Sequence, residues 1–414
     1  MNKRHKTKII NDPVHGFITI SSSLIYSILE HPYIQRLRNI KQLGLTYLVY
    51  PGACHNRLQH ALGAMYLMGK ALDTLKNKGH DISEQETETA LATILLHDIG
   101  HGPFSHTLES SIVEGVNHEL ISMIFLKHLN REFHGALDLA IEVFSKRYKK
   151  QFLNELVSGQ LDVDRLDYLR RDSFFSGVVE GMVGLERIIN MLDIDDGKLV
   201  VEAKGIYSIE KFLISRRLMY WQVYLHKTVL SAENLLMQIF RRAKYLTRNG
   251  ETLFASPSLA FFLNNSVDES VFVPENDEVL NNFALLCDGD IESAIRIWMS
   301  HSDKILSTLC KMLTYRMLPR TELSILPFSD ERIEQKKTMV KRHLNVSDEE
   351  TDYFVVSKIV SNTAYSLDKQ SILIKYNDGR LSDIFEASEM LHHSHINGET
   401  HKHILSYPKY EQVL

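Results

Sequence analysis

Histidine and aspartate residues that could hold a metal ion are concentrated in the first part of the chain. The string LLHDIGHGPFSH contains His97 and Asp98 directly after residues 90–96, which are apolar at nearly every position. A helix that is apolar all round is buried, and a buried carboxylate costs several kcal/mol unless it is paired or binds a cation. An isolated His-Asp pair, however, is more simply a helix end satisfied by backbone donors beside a core histidine.

Two further strings strengthen the metal interpretation. HNRLQH at 55–60 opens one predicted helix, and DVDRLDY at 162–168 opens another. Imidazole nitrogens and carboxylate oxygens suit Zn, Mn, Fe, Ni or Mg better than a thiophilic ion. Because such a mixed set leaves room for water or substrate, it is typical of a catalytic site.

The spacing of apolar residues predicts that helices position most of these side chains. The predicted helical segments are 22–30, 33–43, 56–78, 84–98, 117–130, 148–158, 163–172, 184–192, 207–245, 276–286 and 290–300. Asp196-Gly197 predicts a turn into a short strand, and YFVVSKIV and SILIKYNDGRL predict a small C-terminal sheet. We therefore expect a mainly α protein, with a helical core at 1–245 and a smaller α+β region at 246–414.

Composition excludes several classes of protein. The 414 residues carry 47 Lys and Arg against 52 Asp and Glu, a formal charge of −5, so binding to nucleic acid is not expected. Three cysteines cannot build a disulfide framework, and no apolar stretch reaches the length of a membrane span. We therefore expect a cytoplasmic protein without a membrane segment. A group of C-terminal histidines lacks acidic or cysteine partners at a defined spacing, and we interpret it as surface residues: His392, His393, His395, His401 and His403.

The order of the motifs resembles the HD-domain phosphohydrolases. Their H…HD…D signature corresponds to His60, His97-Asp98 and Asp164. The surrounding strings are similar to the deoxynucleoside triphosphate triphosphohydrolase, or dGTPase-like, branch: NDPVHG, QRLRNIKQLG, YPGACHNRLQHALG, HDIGHGPFSH and DVDRLDYLRRD. The resemblance spans about residues 8–245 and implies an HD-domain helical core.

The resemblance implies one divalent metal ion held by His60, His97, Asp98 and Asp164. It further implies a catalytic group of four residues: His101, His106, Glu109 and His118. His106 is expected to act as the general acid, oriented by Glu109 and His118, while His101 contacts phosphate. An imidazole with a pKa of about 6.5 can exchange a proton near neutrality.

Substrate contacts are also implied by the resemblance. The matching residues are Gln42, Leu43, Arg57, Arg165, Tyr168, Asp172, Arg216 and Tyr224. The three arginines would neutralise phosphates, and the Tyr168 ring under a deoxyribose would leave no space for a 2′-hydroxyl. Without the resemblance, Arg57 would be a solvated surface residue and Tyr224 a core aromatic.

The vertebrate member of this branch is also activated by nucleotides bound between subunits. The corresponding residues here are Lys8, Asn11, Glu30, Gln35 and Arg38. The stretch VVEGMVGLER departs from the pattern because Val183-Gly184 stands where an acidic contact is expected. By analogy with these relatives we expect an activating nucleotide and a homo-oligomer, either a dimer or a tetramer.

The expected reaction is hydrolysis of a deoxynucleoside triphosphate (dNTP) to deoxynucleoside and inorganic triphosphate. Two alternatives stay open. The same metal set could serve a phosphodiesterase or nucleotidase acting on another phosphate ester. The protein could also be a non-catalytic nucleotide sensor or a nucleic-acid-binding regulator.

Overall fold

The N-terminal part of the protein is a short hairpin followed by helices. The structure, a computed structural model, describes residues 7–363, 371–392 and 399–409. Strands β1 and β2 are Lys8–Asp12 and Gly16–Ile20. The helices that follow are α1 (Ser23–Glu30), α2 (Pro32–Gln35), α3 (Arg57–Asn77), α4 (Glu84–Leu96), α5 (Glu109–Ile112), α6 (His118–Glu132), α7 (Asp138–Phe144), α8 (Gln151–Ser158), α9 (Val163–Ser176) and α10 (Leu185–Met191).

A second hairpin and two long helices complete the core. These are β3 (Leu192–Asp195), β4 (Lys198–Glu202), α11 (Ile206–Met219) and α12 (Lys227–Arg248). The remaining elements are α13 (Pro257–Asn264), α14 (Asp277–Leu285), α15 (Asp288–Trp298), α16 (Lys304–Thr314), β5 (Arg320–Ser324), α17 (Asp330–Leu344), β6 (Val356–Thr363), β7 (Leu373–Lys375), β8 (Leu381–Asp383), α18 (Ile384–Ala387), α19 (Glu389–His392) and β9 (Glu399–Tyr407). The predicted fold class, mainly α with a smaller C-terminal α+β region, is confirmed. The predicted division at residue 245 lies within α12 and stays a prediction.

The small sheets join distant parts of the chain. The Asp196-Gly197 turn closes the β3–β4 hairpin as predicted, and β4 pairs in parallel with β7, so that Val200 faces Leu373. Strand β8 completes that sheet, whose order is β3-β4-β7-β8. Strands β5 and β6 both pair with β9 in an antiparallel sheet. The C-terminal region therefore adds strands to a hairpin of the helical core.

Two predicted helices are interrupted. The helix expected at 33–43 is instead the short α2 followed by a 3₁₀ turn at Arg36–Asn39. Because a residue before proline disfavours the helical conformation, His31 is extended and separates α1 from α2. The helix expected at 207–245 is broken by a π turn at Tyr220–Tyr224 and by the extended cap residue His226. Neither the β1–β2 hairpin nor α7 was predicted.

Several sequence expectations can be compared with the described residues. Among the described residues, no helix combines the length and the apolar character that crossing a bilayer requires. The three cysteines, Cys54, Cys287 and Cys310, are free thiols. His401 and His403 lie on β9, whereas His393 and His395 lie outside the described residues.

Helices α3 and α9 pack closely at a glycine. A Cβ atom at Gly63 would lie 2.0 Å from Asp167 Oδ1 and 2.2 Å from Arg171 Nη2. Both partners are fully buried. Only glycine at this position allows the charged side chains of α9 to lie against the backbone of α3.

We expect Gly63→Ala to lower the free energy of unfolding by about 2–4 kcal/mol, because the new methyl group displaces a buried ion pair. The matched control is Gly69→Ala on the same helix, whose Cβ would meet nothing closer than a Leu91 methyl at 3.8 Å. That change should be neutral or stabilise by up to about 1 kcal/mol, since alanine is the better helix former. Chemical denaturation measures both, and equal effects would contradict the close-packing argument.

Candidate metal and active site

Three helices bring two histidines and an aspartate to one point. His60 lies in the first turns of α3, His97 directly follows α4, and Asp164 lies in the first turn of α9. Each offers one ligand atom, and these atoms lie within 4.8 Å of one another. Asp164 Oδ1 is 3.0 Å from His60 Nε2 and 3.4 Å from His97 Nε2. Three of the four predicted metal ligands therefore meet.

Asp98, the fourth predicted ligand, adjoins this group. Its carboxylate lies 3.8 Å from His60 Nε2 and 3.4 Å from His97 Nε2. Its Oδ2 also accepts a hydrogen bond of 2.9 Å from Arg57. Burial alone would raise the pKa of Asp98, but His97, His101 and Arg57 together hold it well below its usual range. Asp98 is therefore ionised at neutral pH.

The second ring nitrogen of each histidine fixes its orientation. His60 Nδ1 donates to Asp167 Oδ2 at 2.8 Å, and His97 Nδ1 donates to the Ile94 carbonyl at 2.6 Å. The two Nε2 atoms are buried, and neither has a partner in hydrogen-bond geometry. Orphaned buried nitrogens aimed at a carboxylate are what a cation would satisfy. The donor set therefore fits a divalent metal ion.

The charge balance at His60 supports the same conclusion. Burial would lower the pKa of His60, but the carboxylates of Asp164 and Asp167 raise it to about 10. These carboxylates therefore favour a positive charge at the imidazole. A bound divalent ion would take the place of that proton, because metal binding requires the neutral ring.

Behind His60 lies a buried ionic network that sequence reasoning missed. Asp167 also contacts His15 Nε2 at 2.6 Å and Arg171 Nε at 2.9 Å. Arg171 in turn binds Asp12 at 2.8 Å. The spacing of Asp164, Asp167 and Arg171 along one helix could have shown that they share a face. The network links the β1–β2 hairpin to the metal ligands.

The predicted proton-transfer residues form a cluster beside Asp98. The rings of His101 and His118 stack with centroids 3.9 Å apart, and His106 packs edge-on against both. Glu109 Oε1 lies 2.8 Å from His118 Nδ1, and its Oε2 lies 3.9 Å from His106 Nδ1. Surrounding protein lowers the pKa of His106 to about 4, aided by the charges of Arg57 and His118. His106 adopts a left-handed backbone, with φ 64°.

A cavity of about 530 Å³ adjoins the metal ligands; we call it the substrate cavity. It contains most of the predicted site residues: Gln42, Leu43, Arg57, Asp98, His101, His106, His118, Asp164, Arg165, Tyr168, Asp172 and Tyr224. Of the others, His60, His97, Glu109 and Arg216 lie outside its lining. Residues of this lining that were not predicted as sites include Ser105, Tyr220 and Glu233.

Aromatic and carboxylate groups shape the far end of the substrate cavity. The rings of Tyr168 and Tyr224 meet edge to face at 6.1 Å, and Tyr224 donates to Asp172 Oδ2 at 2.7 Å. His55 Nε2 holds the other carboxylate oxygen at 2.7 Å. Burial, with Tyr220 adding, raises the pKa of Tyr168, so its hydroxyl stays protonated.

The remaining arginines differ in their partners. Arg165 donates to the Gly159 carbonyl at 2.7 Å and pairs with Asp162, while its Nε is buried without a partner. Arg216 is 7% exposed, and its Nε and Nη1 have no partner. Both carry cationic charge close to Tyr168. Both therefore add positive charge beside this ring.

The predicted regulatory residues lie on and beside the N-terminal hairpin. Lys8 pairs with Glu30, while Gln35 donates to the Leu29 carbonyl at 2.6 Å and accepts from Arg38 at 2.7 Å. Asn11 pairs with Phe17 inside the hairpin. These contacts show proximity, and a nucleotide-binding role stays a prediction.

Comparisons with known proteins define the family. A model described as the HD domain matches residues 57–172, and one described as the HD associated region matches 183–252. The solved structure of a phosphohydrolase from Bacteroides thetaiotaomicron is 50% identical, with a TM-score of 0.94 over 98% of this chain and 100% of that one. The chain belongs to the HD-domain phosphohydrolase family.

Relatives of this HD-domain phosphohydrolase include both uncharacterised proteins and enzymes. The uncharacterised protein YwfO of Bacillus subtilis is 34% identical over 76% of this chain and 72% of its own length. The deoxynucleoside triphosphate triphosphohydrolase SAMHD1 of Gallus gallus is 30% identical over 57% of this chain and 45% of its own length. HD domains are metal-dependent, and the residues that fit a metal here all lie within the matched domain.

Replacing the carboxylate behind His60 tests the metal interpretation. We expect Asp167→Asn to weaken Mn²⁺ or Co²⁺ binding by about 10–100-fold, because the variant no longer orients His60 as a strong ligand. Equilibrium dialysis of the metal-stripped protein measures the affinity, and circular dichroism verifies folding.

The matched control is Asp193→Asn. Asp193, on β3, also holds a histidine, His80, at 2.6 Å, but neither residue belongs to the metal-ligand group. Its removal should leave metal affinity unchanged. Equal losses in both variants would show that Asp167 acts only on stability.

Proposed function

We propose that this HD-domain phosphohydrolase hydrolyses dNTPs at the α-phosphorus, releasing deoxynucleoside and inorganic triphosphate. The observation that carries the proposal is the junction of the metal-ligand set with a substrate cavity of about 530 Å³ lined by tyrosines and arginines. A divalent ion at such a site acidifies water and polarises phosphoryl oxygens. The similarity to triphosphohydrolases of this family supports the same substrate class.

Cationic groups near the ligands suit a polyphosphate. Arg57 is held beside Asp98, and Arg165 lines the same cavity. Arg216 lies outside the lining of this cavity, but its charge close to Tyr168 would add to theirs. Because phosphoryl transfer depends mainly on positioning and charge stabilisation, these arginines would orient the triphosphate and neutralise it.

His106 would protonate the leaving oxygen O5′. Its ring is open to the substrate cavity, with 67% of the side chain exposed, and Glu109 lies 3.9 Å from its Nδ1. A pKa of about 4 keeps His106 neutral when the cavity contains no anion. Bound phosphates would raise that pKa, since an adjacent negative charge favours the protonated ring. Binding of the substrate would therefore promote protonation of His106, the general acid.

Tyr168 would discriminate between sugars. It packs against Tyr224, whose hydroxyl is fixed by Asp172, so the Tyr168 ring cannot easily move away from the cavity. A ribose packed on this ring would bring its 2′-hydroxyl against carbon atoms. Asp172 and Gln42, whose Oε1 is buried without a partner, supply polar contacts nearby.

A second nucleotide and a second copy of the chain complete the proposal. Lys8, Glu30, Gln35 and Arg38 offer charges and an amide at the molecular surface. A nucleotide at this position would bind between subunits of a homo-oligomer and activate the enzyme. Sedimentation of the protein with and without GTP tests this part independently.

The decisive experiment identifies products from the four dNTPs, with and without GTP, across Mg, Mn, Co, Ni and Zn. We expect deoxynucleoside and inorganic triphosphate in equal amounts. Monophosphate or pyrophosphate would instead indicate a phosphodiesterase or nucleotidase. Binding without turnover would indicate a nucleotide sensor.

Asp164→Ala should remove metal and turnover together, with at least about 1,000-fold lower kcat/KM. Metal content by atomic emission and product release by ion chromatography check the two losses. Asp81→Ala, at a fully exposed carboxylate, serves as the control and should retain both. Full turnover by a metal-free Asp164→Ala protein would contradict the assignment of this site.

Shortening Tyr168 should relax sugar selectivity. We expect Tyr168→Ala to reduce the preference for dATP over ATP, measured as the ratio of kcat/KM values, by about 10–100-fold, because a steric barrier is removed. Tyr220→Ala, which removes another tyrosine of the cavity, provides the comparison. A loss of turnover with unchanged preference in both variants would contradict the sugar role.

A further inference from the structure

A second cavity also contacts the metal ligands. Its volume is about 580 Å³, and it shares four lining residues with the substrate cavity. The shared residues are Asp98, His118, Asp164 and Arg165. Its other walls come from His97, Glu119 and residues 144–160, none of which lines the substrate cavity. Two of the four metal ligands, Asp98 and Asp164, therefore line both cavities.

The second cavity is lined mostly by polar residues, although Phe144 and Val157 also line it. Lys146, Gln151 and Ser158 are exposed at its edge. Deeper inside, Asn154 is 7% exposed and is held by a 3.1 Å hydrogen bond to the Val143 carbonyl. The floor contains the ionised carboxylates of Asp98 and Asp164. A polar cavity of this size accommodates ordered water. The tyrosines that would pack on a nucleoside line the substrate cavity, whereas Tyr148 is the single tyrosine in the lining of the second cavity.

The stereochemistry of phosphoryl transfer distinguishes the two sides. The entering and leaving oxygens lie roughly in line across phosphorus. With the nucleoside in the substrate cavity and O5′ facing His106, the entering oxygen approaches from the far side of the α-phosphorus. The bound nucleotide would also fill the substrate cavity and displace solvent from it.

We propose that the second cavity supplies the water that attacks the α-phosphorus, by a route separate from nucleotide entry. The water oxygen bonds to phosphorus as the bond to O5′ breaks. One water proton passes to solvent, and O5′ receives a proton from His106, so that deoxynucleoside and triphosphate leave. This inference rests on the proposed function and adds the source of its nucleophile.

Narrowing the mouth of the second cavity tests the proposal kinetically. Gln151 and Ser158 are the first and last residues of α8, and both are exposed. We expect Gln151→Trp with Ser158→Trp to lower kcat by about 10-fold while KM changes less than about 2-fold. Ser300→Trp, at an exposed serine two residues beyond the end of α15, is the control and should change neither.

A second measurement needs no turnover. Protein loaded with Mn²⁺ is saturated with a dNTP analogue in which carbon replaces O5′, and the relaxation rate of water protons is recorded. Continued rapid exchange is expected in the native protein and in Ser300→Trp, and slower exchange in the double tryptophan variant. Equal relaxation in all three proteins would overturn the route.

The kinetic outcomes separate the alternatives. A raised KM at unchanged kcat would overturn the proposal and make the second cavity a phosphate subsite. Unchanged kcat and KM in the double variant would show that water arrives elsewhere. If the native enzyme releases no deoxynucleoside, the proposed function fails, while the Mn²⁺ measurement still decides whether the second cavity admits water.

Discussion

One fully buried carboxylate, that of Asp167, constrains the whole site. It accepts contacts from His15, His60 and Arg171, which come from the N-terminal hairpin, α3 and its own helix α9. An uncompensated charge at this depth would cost several kcal/mol, so all three partners must be in place together. Gly63 permits the close approach of the two helices that makes this possible. The orientation of His60 is therefore set by packing of three separate segments.

The C-terminal region also shapes the site. Asp288, in the first turn of α15, accepts from the backbone of Lys41 at 2.9 Å and of Phe104 at 3.1 Å. These two residues begin the segments that carry Gln42 and His106. Phe104 and His106 both adopt left-handed backbone conformations. Such conformations cost energy and persist only where neighbouring contacts hold them. A carboxylate almost two hundred residues away thus helps to hold the segment that carries His106.

Sequence patterns predicted the parts of this structure that depend on local interactions. Apolar periodicity located most of the helices, and Asp196-Gly197 located the β3–β4 turn. The break at Tyr220–Tyr224 contains neither glycine nor proline, so no local signal marks it. The Tyr224 ring there contacts the rings of Tyr168 and Tyr220, the first of them on another helix. Asp167 was missed for a similar reason. A carboxylate in a helix rich in charged residues is ordinarily at the surface, and only the fold shows that Arg171 and two histidines bury it.

The parallel pairing of β4 with β7 connects residues about 170 positions apart in the chain. Contacts between such distant segments form late, because closing a long loop costs conformational entropy before the contacts can stabilise the chain. During synthesis, the β3–β4 hairpin leaves the ribosome well before its third strand exists. Until then β4 presents an unpaired edge to the cell, a surface that favours association with other chains. Completion of the sheet is accordingly a late event in biogenesis, and the speed of translation through residues 203–372 would govern how long that edge stays open.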